Sequence, residues 1–408
     1  MKAKLVLLVL TIFGSINLYS QIYGGFGTAL GYGFNNYSAD TSFSTLITQT
    51  DISLGKDFSE NFQIFGNFSY INFAEFSDRN FLAPEIGFSY SNMLMDEVSL
   101  NMDFGSSFRL GSKEYNYFNY LQPIFNLSFA YNFDESSSVA VNSSNRYKNY
   151  LKLNDFDFVE NLNNLSFRKS FESKTTISTS LSFNNKTYMS NYESYIADDV
   201  LSVAKGKGMG KGYMGNWNMG NMGNSGTTTD TIESGDTTYI VNYKQVGAKT
   251  TTQFKYAVNI AQNIFESTGI SANFQQGFII SDFKSEDFSS VYDFATDDDL
   301  YDDPFMFDFT KFSGKITQML PFDFKLQLNY SFTNKQYYFG ANDENPQIMR
   351  NDNVYNYGLS LEKSIDFEEL FINSVSFNFD YSYINNKSNN LYFDYNYSFL
   401  MFGINVGF

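Results

Sequence analysis

Tyr392 to Phe408 reads YFDYNYSFLMFGINVGF. From Leu400 onward, Leu400, Phe402, Ile404, Val406 and Phe408 share one parity, and Met401, Gly403, Asn405 and Gly407 share the other. Side chains of a β-strand alternate between faces with period two. One face of this strand is therefore wholly apolar, and the other becomes small or polar towards the end. A sandwich strand could show the same alternation. The chain also stops on the aromatic residue itself, so the rest of the sequence has to show which setting applies.

The same alternation recurs through the chain. Ile22 to Phe34 sets Phe26, Thr28, Leu30, Tyr32 and Phe34 against Gly25, Gly27, Ala29, Gly31 and Gly33, and those glycines predict open room on one wall. A second strand carries Leu46 to Leu54, a third Ile64 to Tyr70, and a fourth Ile86 to Tyr90. The fifth, Val98 to Leu110, and the sixth, Phe125 to Phe133, are regular. The seventh and eighth, near 139–147 and 158–171, are broken by Asn and charged residues. Ile177 to Phe183 and Phe254 to Ile260 mark the ninth and tenth, and Ile270 to Ile280 the eleventh. Phe305, Phe307 and Phe309 open a twelfth strand whose phase shifts near Phe312, which suggests a bulge. Phe324 to Thr333, Tyr355 to Leu361, Val375 to Tyr383 and the terminal stretch complete a set of about sixteen, with fourteen as the alternative.

Composition fits this pattern. The chain holds 46 Phe and 31 Tyr and is 19% aromatic, yet no stretch of the mature part approaches the ~18 apolar residues of a membrane helix. Only alternate residues of a membrane strand need face lipid, so modest hydropathy is compatible with a transmembrane barrel. At the start, Lys2 and Lys4 precede an apolar run from Leu5 to Phe13, and Ser20 offers a small residue before Gln21. Residues 1–20 therefore read as a secretory signal peptide and 21–408 as a single barrel domain. Without Lys2 and Lys4 the balance is 25 basic against 44 acidic residues, net −19. Such a balance lacks the basic footprint of a nucleic-acid-binding protein.

The signal peptide, the amphipathic strands and the closing strand that ends on Phe408 together resemble the outer-membrane β-barrel proteins of bacteria, porin-like members included. The resemblance implies an integral outer-membrane location, lipid contact on the aromatic face, and a last strand read by the barrel-insertion machinery. It also implies an all-β, antiparallel, up-and-down transmembrane barrel with short periplasmic turns and long external loops. The longest interruptions, near 190–247 and 282–303, both fall on the external side. A plug-bearing TonB-dependent receptor is not expected, because the first strand begins almost at the cleavage site.

With aromatic parity taken as outward, the inner face is small and polar. Its candidate pore-lining residues are Asn101, Asp103, Arg109, Lys325, Gln327, Asn329, Asn378 and Asp380. The expected activity is passive passage of small hydrophilic solutes. The alternative is a non-conducting barrel that serves as adhesin, scaffold or subunit of an envelope complex through its external loops. A homo-oligomer is compatible with either. His is absent, which removes the commonest general base and metal-ligating nitrogen. The outer-membrane lipases, acyltransferases and proteases that the resemblance brings in as families use a His, so no catalytic residue, metal or cofactor is expected. The acidic loop 282–303 could hold Ca²⁺ through carboxylates, but its spacing matches no binding loop, and it reads as a solvated loop. The tract 205–224 is rich in Gly and Met and reads as flexible rather than as a soft-metal site. Its lysines, Lys205, Lys207 and Lys211, suggest that it folds over the channel mouth.

Overall fold

A computed structural model describes residues 22–37, 42–113, 115–189, 191–196, 228–234, 237–246, 248–282, 303–340, 348–367 and 372–408. The signal-peptide assignment for 1–20, the closing role expected of 205–224 and nearly all of the acidic loop fall outside these residues. The strands in chain order are β1 (Ile22–Tyr37), β2 (Ser42–Ser59), β3 (Phe62–Phe73), β4 (Phe81–Met95), β5 (Val98–Gly111), β6 (Tyr120–Asp134), β7 (Ser137–Tyr150), β8 (Phe158–Ser170) and β9 (Thr175–Tyr188). Next come β10 (Asn191–Ile196), β11 (Thr228–Ser234) and β12 (Thr237–Val246). The set ends with β13 (Lys249–Phe265), β14 (Thr268–Ile279), β15 (Phe307–Met319), β16 (Lys325–Gly340), β17 (Met349–Asp366), β18 (Ser374–Ser388) and β19 (Tyr395–Gly407).

Sixteen of these strands form one closed antiparallel barrel, in which every strand pairs with its barrel neighbours in the chain. Closure is made by the terminal stretch: β19 pairs with β1 from Gly25↔Gly407 to Tyr37↔Tyr395. Two backbone bonds extend the seam, Gly24 N–H to Phe408 O at 2.8 Å and Phe408 N–H to Gly24 O at 3.0 Å. Closure leaves no barrel strand with an unpaired edge, which is what a sheet needs where water cannot satisfy its backbone. The strand number is sixteen, not fourteen. The irregular seventh and eighth segments are full members, β7 and β8, held in unbroken register from Ser137↔Lys169 to Lys148↔Phe158.

Three expectations need correction. The segment between β9 and β13 is not wholly irregular, because β10, β12 and β11 form a separate three-stranded sheet there. The phase shift at Phe312 is not a bulge. Register runs unbroken from Thr268↔Gln318 to Gly277↔Phe309 and from Phe307↔Tyr337 to Met319↔Lys325. Phe312 and Ile316 face outward, 50% and 47% exposed, whereas Phe307 is buried on the opposite face. Pro304–Met306 is a short 3₁₀ turn that precedes the strand, and Phe305 and Met306 are buried within it.

The outward face carries the apolar belt. Phe26, Leu30, Phe88, Phe104, Phe129, Leu181, Ile260, Leu328, Tyr357 and Phe402 are all exposed, and they come from every side of the ring. In water, exposure of so much contiguous apolar surface would be strongly unfavourable. Against lipid it is the expected outer wall. Connections at the end that holds Phe408 are short, such as 60–61, 96–97, 135–136 and 266–267, and those at the other end are longer.

The glycines of β1 do not leave open room, as the sequence alone suggested. A Cβ on Gly31 would lie 2.6 Å from the ring of Phe399. The inward rings of β19 are laid flat across this stripe, with Tyr397 and Phe399 stacked at 6.2 Å between centroids. Gly277 serves Phe309 in the same way.

Candidate functional site: the inner wall and its external mouth

The long-loop end of the barrel is built from a repeated local device. Phe118-Asn119-Tyr120, Phe156-Asp157-Phe158 and Phe307-Asp308-Phe309 each place an Asn or Asp between aromatics where a descending strand begins. The central side chain accepts a hydrogen bond from the backbone N–H at or near the end of the preceding strand. Asn119 accepts from Gly111 at 2.6 Å, Asp157 from Tyr150 at 2.7 Å, and Asp308 from Ile279 at 2.6 Å. Asn80 does the same for Phe73 at 2.7 Å. Each such bond satisfies a donor at the strand end and fixes the angle of the hairpin.

With the hairpins fixed, their aromatics meet cations from adjoining strands. Arg109 lies 4.1 Å over the ring of Phe81, Lys148 4.2 Å over Tyr120, and Lys186 3.8 Å over Phe158. Arg350 lies 4.0 Å over Tyr337 and 3.3 Å over Phe393. Desolvated stacks of this kind are each worth roughly 2 kcal/mol. All four cations are buried, so they brace the mouth and do not present charge to solute.

One connection turns inward. Asp303, between β14 and β15, forms an ion pair with Lys186 on β9. It also accepts from Tyr188 Oη at 2.7 Å and from Phe305 N–H at 3.0 Å. Gln253 on β13 donates to Pro304 O at 2.5 Å. The turn 303–306 therefore reaches across the inner faces of β14 and β13 to β9. Side chains at both ends of this latch are fully buried, Lys186 at 0% and Asp303 at 1%. Sequence reading missed it, because Lys186 and Asp303 carry no local pattern that pairs them.

Below the mouth the inner wall is polar and its charges are segregated. Asp51 on β2, Glu85 on β4, Asp103 on β5 and Asp380 on β18 occupy one arc of the ring. Lys255 on β13 and Lys311 and Lys315 on β15 occupy the arc opposite. Three of the acids are held by neighbouring side chains. Asp51 accepts from Ser69 Oγ at 2.5 Å and Gln49 Nε2 at 3.0 Å. Glu85 accepts from Asn67 at 3.3 Å, and Asp380 from Asn378 at 3.2 Å. Opposed arcs of unlike charge set a field across the lumen, little screened by the low-dielectric wall.

All eight candidate pore-lining residues lie on the face opposite the apolar belt. Asn101, Asp103, Gln327, Asn378 and Asp380 are half-buried there, and Asn329 is exposed. Lys325 pairs with Glu362 at 3.1 Å near the short-turn end. Arg109 differs from the others. It is 3% exposed beneath Phe81 and Phe118, so it belongs to the bracing of the mouth.

No family model and no curated protein matches the chain. Solved structures resemble it in architecture. Acinetobacter baumannii OccAB1 aligns over 95% of this chain and 96% of its own at 11% identity, with a TM-score of 0.47. Pseudomonas aeruginosa OpdL aligns over 95% of this chain and 99% of its own at 8% identity, TM-score 0.49. A bacterial polysaccharide outer membrane secretin covers 96% and 99% at 8% identity, TM-score 0.45. These likenesses are remote, and the barrel is established by its own strand pairing.

Proposed function

We propose that this protein is a porin-like channel of the bacterial outer membrane that passes small hydrophilic solutes by diffusion and carries out no chemistry of its own. The carrying observation is the pairing of two faces on one closed sixteen-strand wall, apolar outside and polar with opposed charge arcs inside. Barrels of this strand number are wide enough for a water-filled channel, whereas eight strands enclose only side chains. The inward turn 303–306 narrows the mouth and sets the size limit on what passes. Asn101, Asp103, Lys325, Gln327, Asn329, Asn378 and Asp380 line the passage in this reading. Proteoliposomes that contain the purified chain should swell in isotonic solutions of small neutral sugars, with a rate that falls as sugar size rises. Swelling no faster than in empty liposomes would refute the proposal.

A second reading keeps the external face as the functional surface. The sheet β10-β12-β11 favours it, because a structured appendage between two wall strands is more than passage requires. Deletion of 191–246 separates the two readings. A channel keeps its swelling activity, and an adhesin or scaffold loses its partner.

A further inference from the structure

One crevice of the inner wall gathers two lysines among carboxamides and hydroxyls. It has a volume of about 370 Å³ and lies along β13 to β17. Its floor is a row that runs straight across five strands: Asn259 pairs with Asn273, Asn273 with Ser313, Ser313 with Ser331, and Ser331 with Asn356. Lys311 and Lys315 stand on β15, two residues to either side of this row. Their Cα atoms are about 13 Å apart at the usual strand rise, so two flexible lysine side chains can converge on one ligand.

Several polar groups elsewhere on the wall satisfy one another, as Asp51 does with Ser69 and Gln49. Here they do not. Lys311, Lys315, Asn259, Asn273, Asn329 and Asn356 make no side-chain hydrogen bond or ion pair with the described residues, and no acid among those residues lines the crevice. Two ammonium groups and several carboxamides thus face one space, and none is tied to another side chain of the described residues. Two uncompensated positive charges select a doubly negative group. The amide and hydroxyl row, which both donates and accepts, selects hydroxyl groups beside it.

From this juxtaposition we infer that the crevice is a binding station for a phosphorylated polyol of about sugar size, held by Lys311 and Lys315 at its phosphate and by the Asn row at its hydroxyls. The inference deepens the channel reading by naming a solute class, but the site exists whether or not the barrel conducts. The test is equilibrium dialysis of the detergent-solubilised full chain against labelled glucose 6-phosphate at pH 8, where the phosphate is a dianion. Saturable binding is expected, with inorganic phosphate and gluconate each weaker by about tenfold and glucose without measurable affinity. Lys311→Gln and Lys315→Gln should each weaken binding about tenfold, with heat-modifiable gel migration unchanged. Asn273→Ala should reduce the preference for glucose 6-phosphate over inorganic phosphate.

Absence of binding, binding unaffected by both lysine substitutions, or equal affinity for inorganic phosphate or gluconate would each overturn the assignment. Failure of the channel reading looks different: glucose 6-phosphate binds as stated, but liposomes do not swell.

Discussion

Asp303→Ala should open the mouth. The substitution removes the carboxylate that Lys186, Tyr188 and the Phe305 amide share. It takes from Lys186, which is 0% exposed, the carboxylate it pairs with across the turn. Breaking a buried pair from one side costs about 3–5 kcal/mol, chiefly because the remaining charge is uncompensated. The cheapest relief is local: the turn 303–306 lifts and water reaches Lys186. The opening equilibrium should then shift by roughly two to three and a half orders of magnitude, at one order per 1.4 kcal/mol. The chain contains no Cys, so a single Met306→Cys can report this opening. Met306 is 2% exposed with the turn in place, and maleimide labelling of its replacement should be slow in the parent and faster by that factor with Asp303→Ala. Lys186→Met with Asp303→Ala should recover much of the protection, since the buried ammonium goes with the carboxylate that paired with it. Equal labelling rates in parent and Asp303→Ala backgrounds would refute the latch.

Other substitutions test the wall and the loops. Leu181, midway along β9, is 51% exposed on the apolar belt; Leu181→Arg should cost about 2–4 kcal/mol and lower the yield of folded barrel, while the inward Ser180→Arg should fold normally, and equal damage would show the faces are misassigned. Gly31→Ala places a methyl 2.6 Å from the Phe399 ring; overpacking of about 1–3 kcal/mol should lower the temperature of gel-shift unfolding, with Phe399→Leu restoring it. Glu75, in the connection after β3, accepts from Thr45 Oγ1 at 2.7 Å and Leu46 N–H at 2.8 Å, and these bonds, the Thr45 bond foremost, hold its carboxyl below the usual carboxylate range. A depressed folded value means that the staple is fully present above the unfolded value near ~4.3 and is lost as pH falls through the folded one. Protection of the Leu46 amide from hydrogen exchange, corrected for intrinsic rate, should therefore hold at neutral pH and fade in acid, and Glu75→Gln should abolish that dependence.

The wall was readable because period two is imposed on every strand that separates lipid from water. Leu400, Phe402 and Ile404 show it without help from any other strand. The mouth was not readable in the same way. Phe307 and Phe309 look like lipid-facing residues until the register of β15 places them inside with Tyr337. An apolar side chain alternates identically whether it meets lipid or a buried turn. The latch was hidden for a different reason, since Lys186 and Asp303 are 117 residues apart. The hairpin staples did leave a trace: aromatic–Asn/Asp–aromatic tripeptides recur at 118–120, 156–158 and 307–309. Arg109 shows the limit of parity, which gives the face of a side chain but not whether a loop covers it.

Single-channel recording in planar bilayers tests the central claim most directly. The purified full chain, inserted at low concentration in potassium chloride, should give discrete conductance steps that scale with salt concentration. Asp303→Ala should enlarge them, because it releases the turn that reaches across the inner faces of β13 and β14. Stable insertion of the folded barrel with no conductance, in the parent and in Asp303→Ala alike, would contradict the account.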